Sequence, residues 1–185
     1  MVIRLLLSLL LFFPSAIAAQ EITHVSADLT GDGVLDRAVL ALDAEGDGAD
    51  LLIYVPNSGG QFSLHTKAKS LIWVGPGGQG PRLTVSPHGS LLIHSINDSI
   101  GRDRWRQTLT VAWRSNAFVL AGFTYYWYDT LDPEKSGTCD VNLLSGKGMR
   151  TRGTFLREIS FRTKSRSGPI DKWDGNPPIE CFPNN

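Results

Sequence analysis

The residues with the clearest chemical spacing are Asp28-Leu29-Thr30-Gly31-Asp32-Gly33-Val34-Leu35-Asp36. Side-chain oxygens stand at positions 1, 3, 5 and 9 of this stretch, on Asp28, Thr30, Asp32 and Asp36. A hard cation such as calcium takes roughly six to eight oxygens in a flexible cage, and alternate residues of a tight loop can turn theirs inward. Gly33 permits the sharp turn, and Val34 would add its backbone carbonyl. Packing three carboxylates into one loop without a cation costs repulsion. These five residues therefore predict a calcium site with a structural role, pinning a turn. An acidic, glycine-rich turn with no ion is the alternative. An EF-hand is excluded, because its twelfth position is Val39 rather than a bidentate Glu, and Arg37-Ala38-Val39-Leu40 reads as a strand where a helix is required.

The nine-residue stretch resembles the calcium loop of FG-GAP and VCBS-type repeats, the blades of integrin-type β-propellers. Their D-x-N-x-D-G-x-x-D core enters a strand directly, as Asp28 to Asp36 does ahead of Ala38-Val39-Leu40. The resemblance extends from about Ile22 to Phe62, with Thr30 in place of the usual Asn or Asp and no second copy of the loop. It implies a calcium-pinned blade more than a closed propeller, which needs roughly four to eight such blades.

Catalytic spacing is missing elsewhere. His24, His65, His88 and His94 are scattered and form no HExxH pair, and no GxSxG elbow occurs. The loop Gly75-Pro76-Gly77-Gly78-Gln79-Gly80-Pro81 is glycine-rich but precedes a strand and has no Lys, unlike a phosphate loop. The expectation is a non-catalytic protein.

Two further patterns suggest binding. Between Arg102 and Lys172 there are thirteen Lys or Arg against seven Asp or Glu. Arg102, Arg104 and Arg106 alternate, as do Arg162, Lys164 and Arg166, so each trio is expected on one face of a strand. Neighbouring trios would make a basic patch for an anionic polymer or an acidic protein. A solvated sheet face that discourages edge pairing is the other reading. In Phe123-Thr124-Tyr125-Tyr126-Trp127-Tyr128, the residues Phe123, Tyr125 and Trp127 share one face, with Trp105 or Trp113 as cross-strand neighbours. Tyr126 and Tyr128 share the other face, where they can meet a sugar or a peptide.

The first eighteen residues read as an address. Arg4 is the positive n-region, Leu5 to Phe13 the apolar run, and Ala16-Ile17-Ala18 a small-x-small cleavage site. This predicts a cleaved signal peptide at 1–18, with an uncleaved anchor as the alternative, and a periplasmic or secreted domain from 19 to 185. No cysteine follows the run to carry a lipid, and no later segment is long and apolar enough to span a bilayer. Export lets Cys139 and Cys181 form a disulfide that ties back the Pro-rich tail.

Composition bounds the rest. The chain has 185 residues, 42% hydrophobic, with eighteen basic and eighteen acidic side chains. That apolar fraction excludes a disordered chain, and the even charge excludes a general nucleic-acid binder. Nineteen Gly and ten Pro favour many short elements joined by turns. Short apolar or alternating runs recur at 39–42, 51–55, 62–66, 71–74, 82–86, 91–95, 105–114, 117–128, 140–144 and 155–163, and no window has a helical period. The fold expected is a single all-β domain, an antiparallel meander curled into a sandwich, barrel or partial propeller. The function expected is an interaction module of the cell envelope whose partner is a protein or an anionic envelope polymer. An extracytoplasmic inhibitor or immunity-type protein is the alternative, and an enzyme on envelope polymers the third.

Overall fold

The computed structural model describes residues 20–153 and 157–182. The predicted leader, 1–18, and the Phe155 start of the last predicted strand lie outside the described residues.

Eleven strands form two antiparallel sheets, each a strict meander in which sequence neighbours are sheet neighbours. The smaller sheet contains β1 (Glu21–Ala27), β2 (Asp36–Leu42), β3 (Gly48–Pro56) and β4 (Phe62–Trp73). The larger contains β5 (Arg82–Val85), β6 (Leu91–Asn97), β7 (Asp103–Arg114), β8 (Ala117–Asp129), β9 (Gly137–Asn142), β10 (Lys147–Arg152) and β11 (Ile159–Arg162). Helical structure among the described residues is confined to three-residue 3-10 turns at Pro133–Lys135, Ile170–Lys172 and Ile179–Cys181. No described helix is long and apolar enough to cross a membrane. The all-β expectation holds.

The strands form where apolar residues alternate or run between turn residues. Ser115 and Asn116, at φ 49° and 60°, make the two-residue turn that joins β7 to β8 in the primed geometry that matches strand twist. Two predicted strands, 62–66 and 71–74, are one strand. β4 runs through Lys67-Ala68-Lys69-Ser70 by a bulge opposite Asp50, whose carboxylate accepts the Ser70 N–H at 2.9 Å.

One core lies between the sheets. Leu40, Leu51 and Ile53 of the small sheet meet Leu91, Ile93, Leu109, Val111, Phe118, Phe123 and Val141 of the large one. Each such side chain stabilises the fold by about 1.5–3 kcal/mol when fully buried. Leu29 plugs this core from the β1–β2 loop, and Ile170 and Cys181 plug it from the tail. The inward face of the large sheet is only partly covered. Its Leu109–Phe123–Val141 half is sealed, whereas the half carrying Trp105, Tyr125 and Trp127 is partly open.

Candidate functional site

The acidic loop connects β1 to β2 and folds around its own carboxylates. Asp28 accepts the N–H groups of Gly31 (2.6 Å), Asp32 (3.1 Å) and Gly33 (2.9 Å). Asp32 accepts the Val34 N–H at 2.8 Å. Gly33 has φ +86°, a left-handed backbone that a side chain would strain. Asp36 is fully buried, and its Oδ2 accepts the N–H groups of Leu29 and Thr30, both at 2.9 Å. Its Oδ1 is buried without a hydrogen-bond partner, and so is the Thr30 hydroxyl. A buried carboxylate oxygen left unpaired is costly, of order 1–3 kcal/mol or more. The Asp36 Oδ1 and the Thr30 hydroxyl are the loop's two oxygens open to a hard cation, while Asp28 and Asp32 are engaged by backbone N–H groups. Among the described residues, no three His, Cys, Asp or Glu side chains are gathered as a metal-holding group. The remaining ligands would have to come from Asp28, Asp32 and the Val34 carbonyl.

The two basic trios stay apart. β7 and β11 are separated by β8, β9 and β10, so the trios do not form one patch. Only part of each trio lies in a strand: Arg102 precedes β7, and Lys164 and Arg166 follow β11. Two of the first trio are neutralised, Arg102 by Asp129 at 2.6 Å and Arg106 by Asp98 at 2.9 Å. The hydrogen bond from Arg102 holds the Asp129 carboxyl below its ordinary value of 3.8, helped by the Leu131 N–H. Arg104 stands opposite Tyr128, and its Nη1 is buried without a partner. Arg162 and Arg166 donate weakly to the Ser145 and Thr163 carbonyls, at 3.5 and 3.4 Å. A basic rim does form, and of the two trios Arg104 alone belongs to it, beside Lys135, Arg150 and Arg152.

Tyr126 and Tyr128 lie on the outward face, their ring centroids 5.7 Å apart, with Tyr126 exposed and Tyr128 half-buried. Opposite them on β7 stand Arg106 and Arg104. The inward face carries the larger aromatic set. Trp105 pairs directly with Trp127, as the expected cross-strand neighbour. Tyr125 lies between them, 6.0 Å from each. Trp73, at the last residue of β4, reaches Trp105 at 5.5 Å and marks where the small sheet stops covering the large one.

Beyond that point is a groove of about 490 Å3. Its wall is Trp105, Tyr125, Trp127 and Phe182, and its rim includes Arg150 and Arg152 of β10. Three features build it. Gly137 of β9 lies opposite Trp127, and a Cβ there would come within 2.6 Å of the indole and 2.5 Å of the Thr151 carbonyl oxygen. Its hydrogen side chain is therefore what lets the Trp127 ring lie across β9. The Cys139–Cys181 disulfide then brings the tail over the sheet, which sets Phe182 5.6 Å from Tyr125 and 5.1 Å from Trp127. Finally, Glu180 anchors that tail by accepting from the Thr163 hydroxyl (2.8 Å) and the Lys164 N–H (2.9 Å), while its carbonyl accepts from Arg150. Burial opposes the Glu180 charge, but these donors outweigh it and hold the carboxyl below its ordinary value of 4.5.

Electrostatics inside the groove are lopsided. Arg150 lies over the Phe161 ring at 5.7 Å, and Arg152 is exposed with no ion pair among the described residues. Lys135, also at the rim, is drawn toward Asp132 at 3.5 Å. Asp103 is the one acid among the lining residues. Burial and the nearby Asp103 charge push the Tyr125 hydroxyl up to about 12, so it stays protonated as a donor. Strand alternation places Trp105, Tyr125 and Trp127 together but does not reveal the groove, since both tryptophans have the parity of core residues. The signal that marks them is Gly137, a glycine in register with a tryptophan.

His94 is the one histidine held inside the protein fabric, between the Thr84 and Thr108 hydroxyls at 2.8 and 3.0 Å. Burial, then the Arg82 charge, lowers its pKa from 6.5. Both of its ring nitrogens are taken by threonine hydroxyls. Asn97-Asp98-Ser99 has the form of an N-glycosylation sequon, but the Asn97 side chain is buried and its amide donates to the Ile100 and Asp103 carbonyls. Comparison with protein-family models, with curated proteins and with solved structures returned no match.

Proposed function

We propose that this is a non-catalytic, exported interaction module of the cell envelope that holds an anionic polymer in the Trp105–Trp127 groove. The observation that carries the reading is the combination of an aromatic wall with three guanidinium groups in the lining, Arg104, Arg150 and Arg152. Aromatic side chains enriched at a partly open site, with Arg as the charged anchor, are the composition of a recognition surface. The disulfide beneath it fits an oxidising compartment. Retention on an anionic resin such as heparin at physiological salt tests this. Wild type is expected to be retained and the Arg150→Gln/Arg152→Gln variant to flow through; equal retention of both would sink the assignment to the groove.

Calcium enters this proposal as a structural cofactor of the FG-GAP-like loop, supported by the unpaired Asp36 and Thr30 oxygens. Asp28, Asp32, Asp36, Thr30 and the Val34 carbonyl would hold it, and the ion would supply the missing partner of a buried carboxylate. The expected result is a thermal midpoint that rises with millimolar calcium, falls with a chelator, and loses this response in Asp32→Ala. An unresponsive wild type would leave an acidic turn only.

A second reading, an inhibitor or immunity-type protein, draws on the outer face of the small sheet. Phe62 and Leu64 are about half exposed there, next to Leu52 and Tyr54. Exposed apolar area of this kind marks protein contact surfaces. A stoichiometric complex with one envelope enzyme, abolished by Phe62→Ser and Leu64→Ser, would favour it.

A further inference from the structure

The groove's chemical inventory narrows the ligand. Its wall is apolar, so the ligand needs a face that can leave water. Its lining has three guanidinium groups: Arg150 with one nitrogen committed to the Glu180 carbonyl, Arg104 with a buried nitrogen that has no partner, and Arg152, which has none among the described residues. Those require an anion that can meet planar forks, a carboxylate or phosphate. Tyr125 and the two indole N–H groups have no hydrogen-bond partner among the described residues and can donate. Asp103, exposed and without an ion pair among the described residues, can only accept. The ligand must therefore also offer a donor beside its negative charge.

Simple candidates fail one of these conditions. Inorganic phosphate or a polyphosphate suits the arginines but repels Asp103 and leaves the aromatic wall uncovered. A neutral sugar covers the wall and suits Asp103 but leaves the three guanidinium groups without a counter-charge. An apolar carboxylic acid has no hydroxyl for Asp103. We infer that the groove takes a carboxylated pyranose, a sugar-acid unit of an acidic polysaccharide; this rests on the groove's being the binding site. The C–H face of the ring covers Trp105 and Trp127. The carboxylate meets Arg150 and Arg152, a ring hydroxyl donates to Asp103, and Tyr125 donates to a second oxygen. The volume of about 490 Å3 lies within the roughly 300–1,000 Å3 of ligand sites and admits a short stretch of such a chain.

Tri-galacturonate, maltotriose and tripolyphosphate, titrated into the mature oxidised protein with tryptophan fluorescence as the readout, separate the possibilities. The expected result is saturable quenching by tri-galacturonate alone, weakened about tenfold in Arg152→Gln through loss of a charge-assisted contact. Asp103→Asn should weaken it several-fold. Both residues are exposed, and circular dichroism checks that each variant is folded. If tripolyphosphate binds with the same Arg152 dependence and tri-galacturonate does not, the groove is an anion site and the sugar-acid assignment is overturned. Tri-galacturonate binding that ignores both substitutions would place the sugar elsewhere and overturn the inference too. If no probe binds at millimolar concentration, the inference and the groove reading fall together.

Discussion

Replacing Cys139 and Cys181 together with Ala frees the tail from the concave face and tests how much of the fold depends on that tie. The two residues are 42 apart in sequence, so the bridge closes a loop of about that length in the unfolded chain. In the chain-entropy treatment, such a loop corresponds to about 4 kcal/mol of stability at 25 °C. That translates to a fall of about 8–16 °C in melting temperature for a domain of this size. The folded state keeps other holds on the tail, namely Glu180 on Thr163 and Lys164, and Phe182 against Tyr125 and Trp127. If those holds suffice, the loss stays near 4 kcal/mol. If the tail lifts away, the partial burial of Phe182 is lost too, adding less than the roughly 1.5–3 kcal/mol of a fully buried side chain, and Trp127 becomes more exposed. Urea unfolding followed by circular dichroism measures the first quantity, and the tryptophan emission maximum of the folded variant separates the two cases. A loss below about 1 kcal/mol with an unchanged dependence on urea would refute the reasoning. It would mean that the unfolded chain gains no freedom when the bridge is cut.

Other substitutions probe single contacts. Gly137→Ala should cost about 1–3 kcal/mol in urea unfolding, the usual penalty of overpacking, because the new methyl meets the Trp127 indole and a backbone carbonyl; a neutral result would show that the indole can move aside. Asp36→Ala should cost about 1–3 kcal/mol for each of the two N–H groups it strands, Leu29 and Thr30, measured the same way in chelator. Acid should act in two stages. His94 has a folded pKa below 6.5, so its contribution is present above that value and is lost as the pH falls through the lowered one. Asp129 and Glu180 are likewise lowered, so theirs is lost as the pH falls below 3.8 and 4.5 toward the folded values. A pH series of thermal midpoints should lose the upper stage alone in His94→Gln.

Much of the fold was legible because its turns carry strong local chemistry. Ser115-Asn116 and Pro87-His88-Gly89-Ser90 sit between alternating apolar runs, and both hairpins form there. The continuity of β4 was not legible. Lys67 to Ser70 breaks the alternation, and a bulge held by Asp50 depends on a contact twenty residues away. β1 was equally indistinct, since only Ile22 and Val25 among its residues are large and apolar. The acidic loop could be read from spacing alone because its partners are its own amides. The groove could not. Strand parity assigns Trp105, Tyr125 and Trp127 to the inside correctly, but whether the inside is covered depends on where β4 ends in the opposite sheet. The pairing of the two arginine trios failed for a similar reason: face can be read from alternation, but strand order cannot.

The strict meander has a consequence for how the molecule matures. Each strand pairs with the one made just before it, so both sheets can assemble in the order in which the chain emerges, with short loops to close at each step. The disulfide obeys a different clock. Cys139 lies on β9 in the middle of the large sheet, and its sulfur must wait for Cys181, 42 residues later, while β10 and β11 zip up beside it. During that interval the thiol faces an unroofed aromatic surface. A chain stalled there would be folded in its sheets yet sticky on one side and open to the wrong disulfide partner. The Cys139–Cys181 bond is thus a long-range tie, 42 residues in span, in a fold otherwise built from strands that pair with their sequence neighbours.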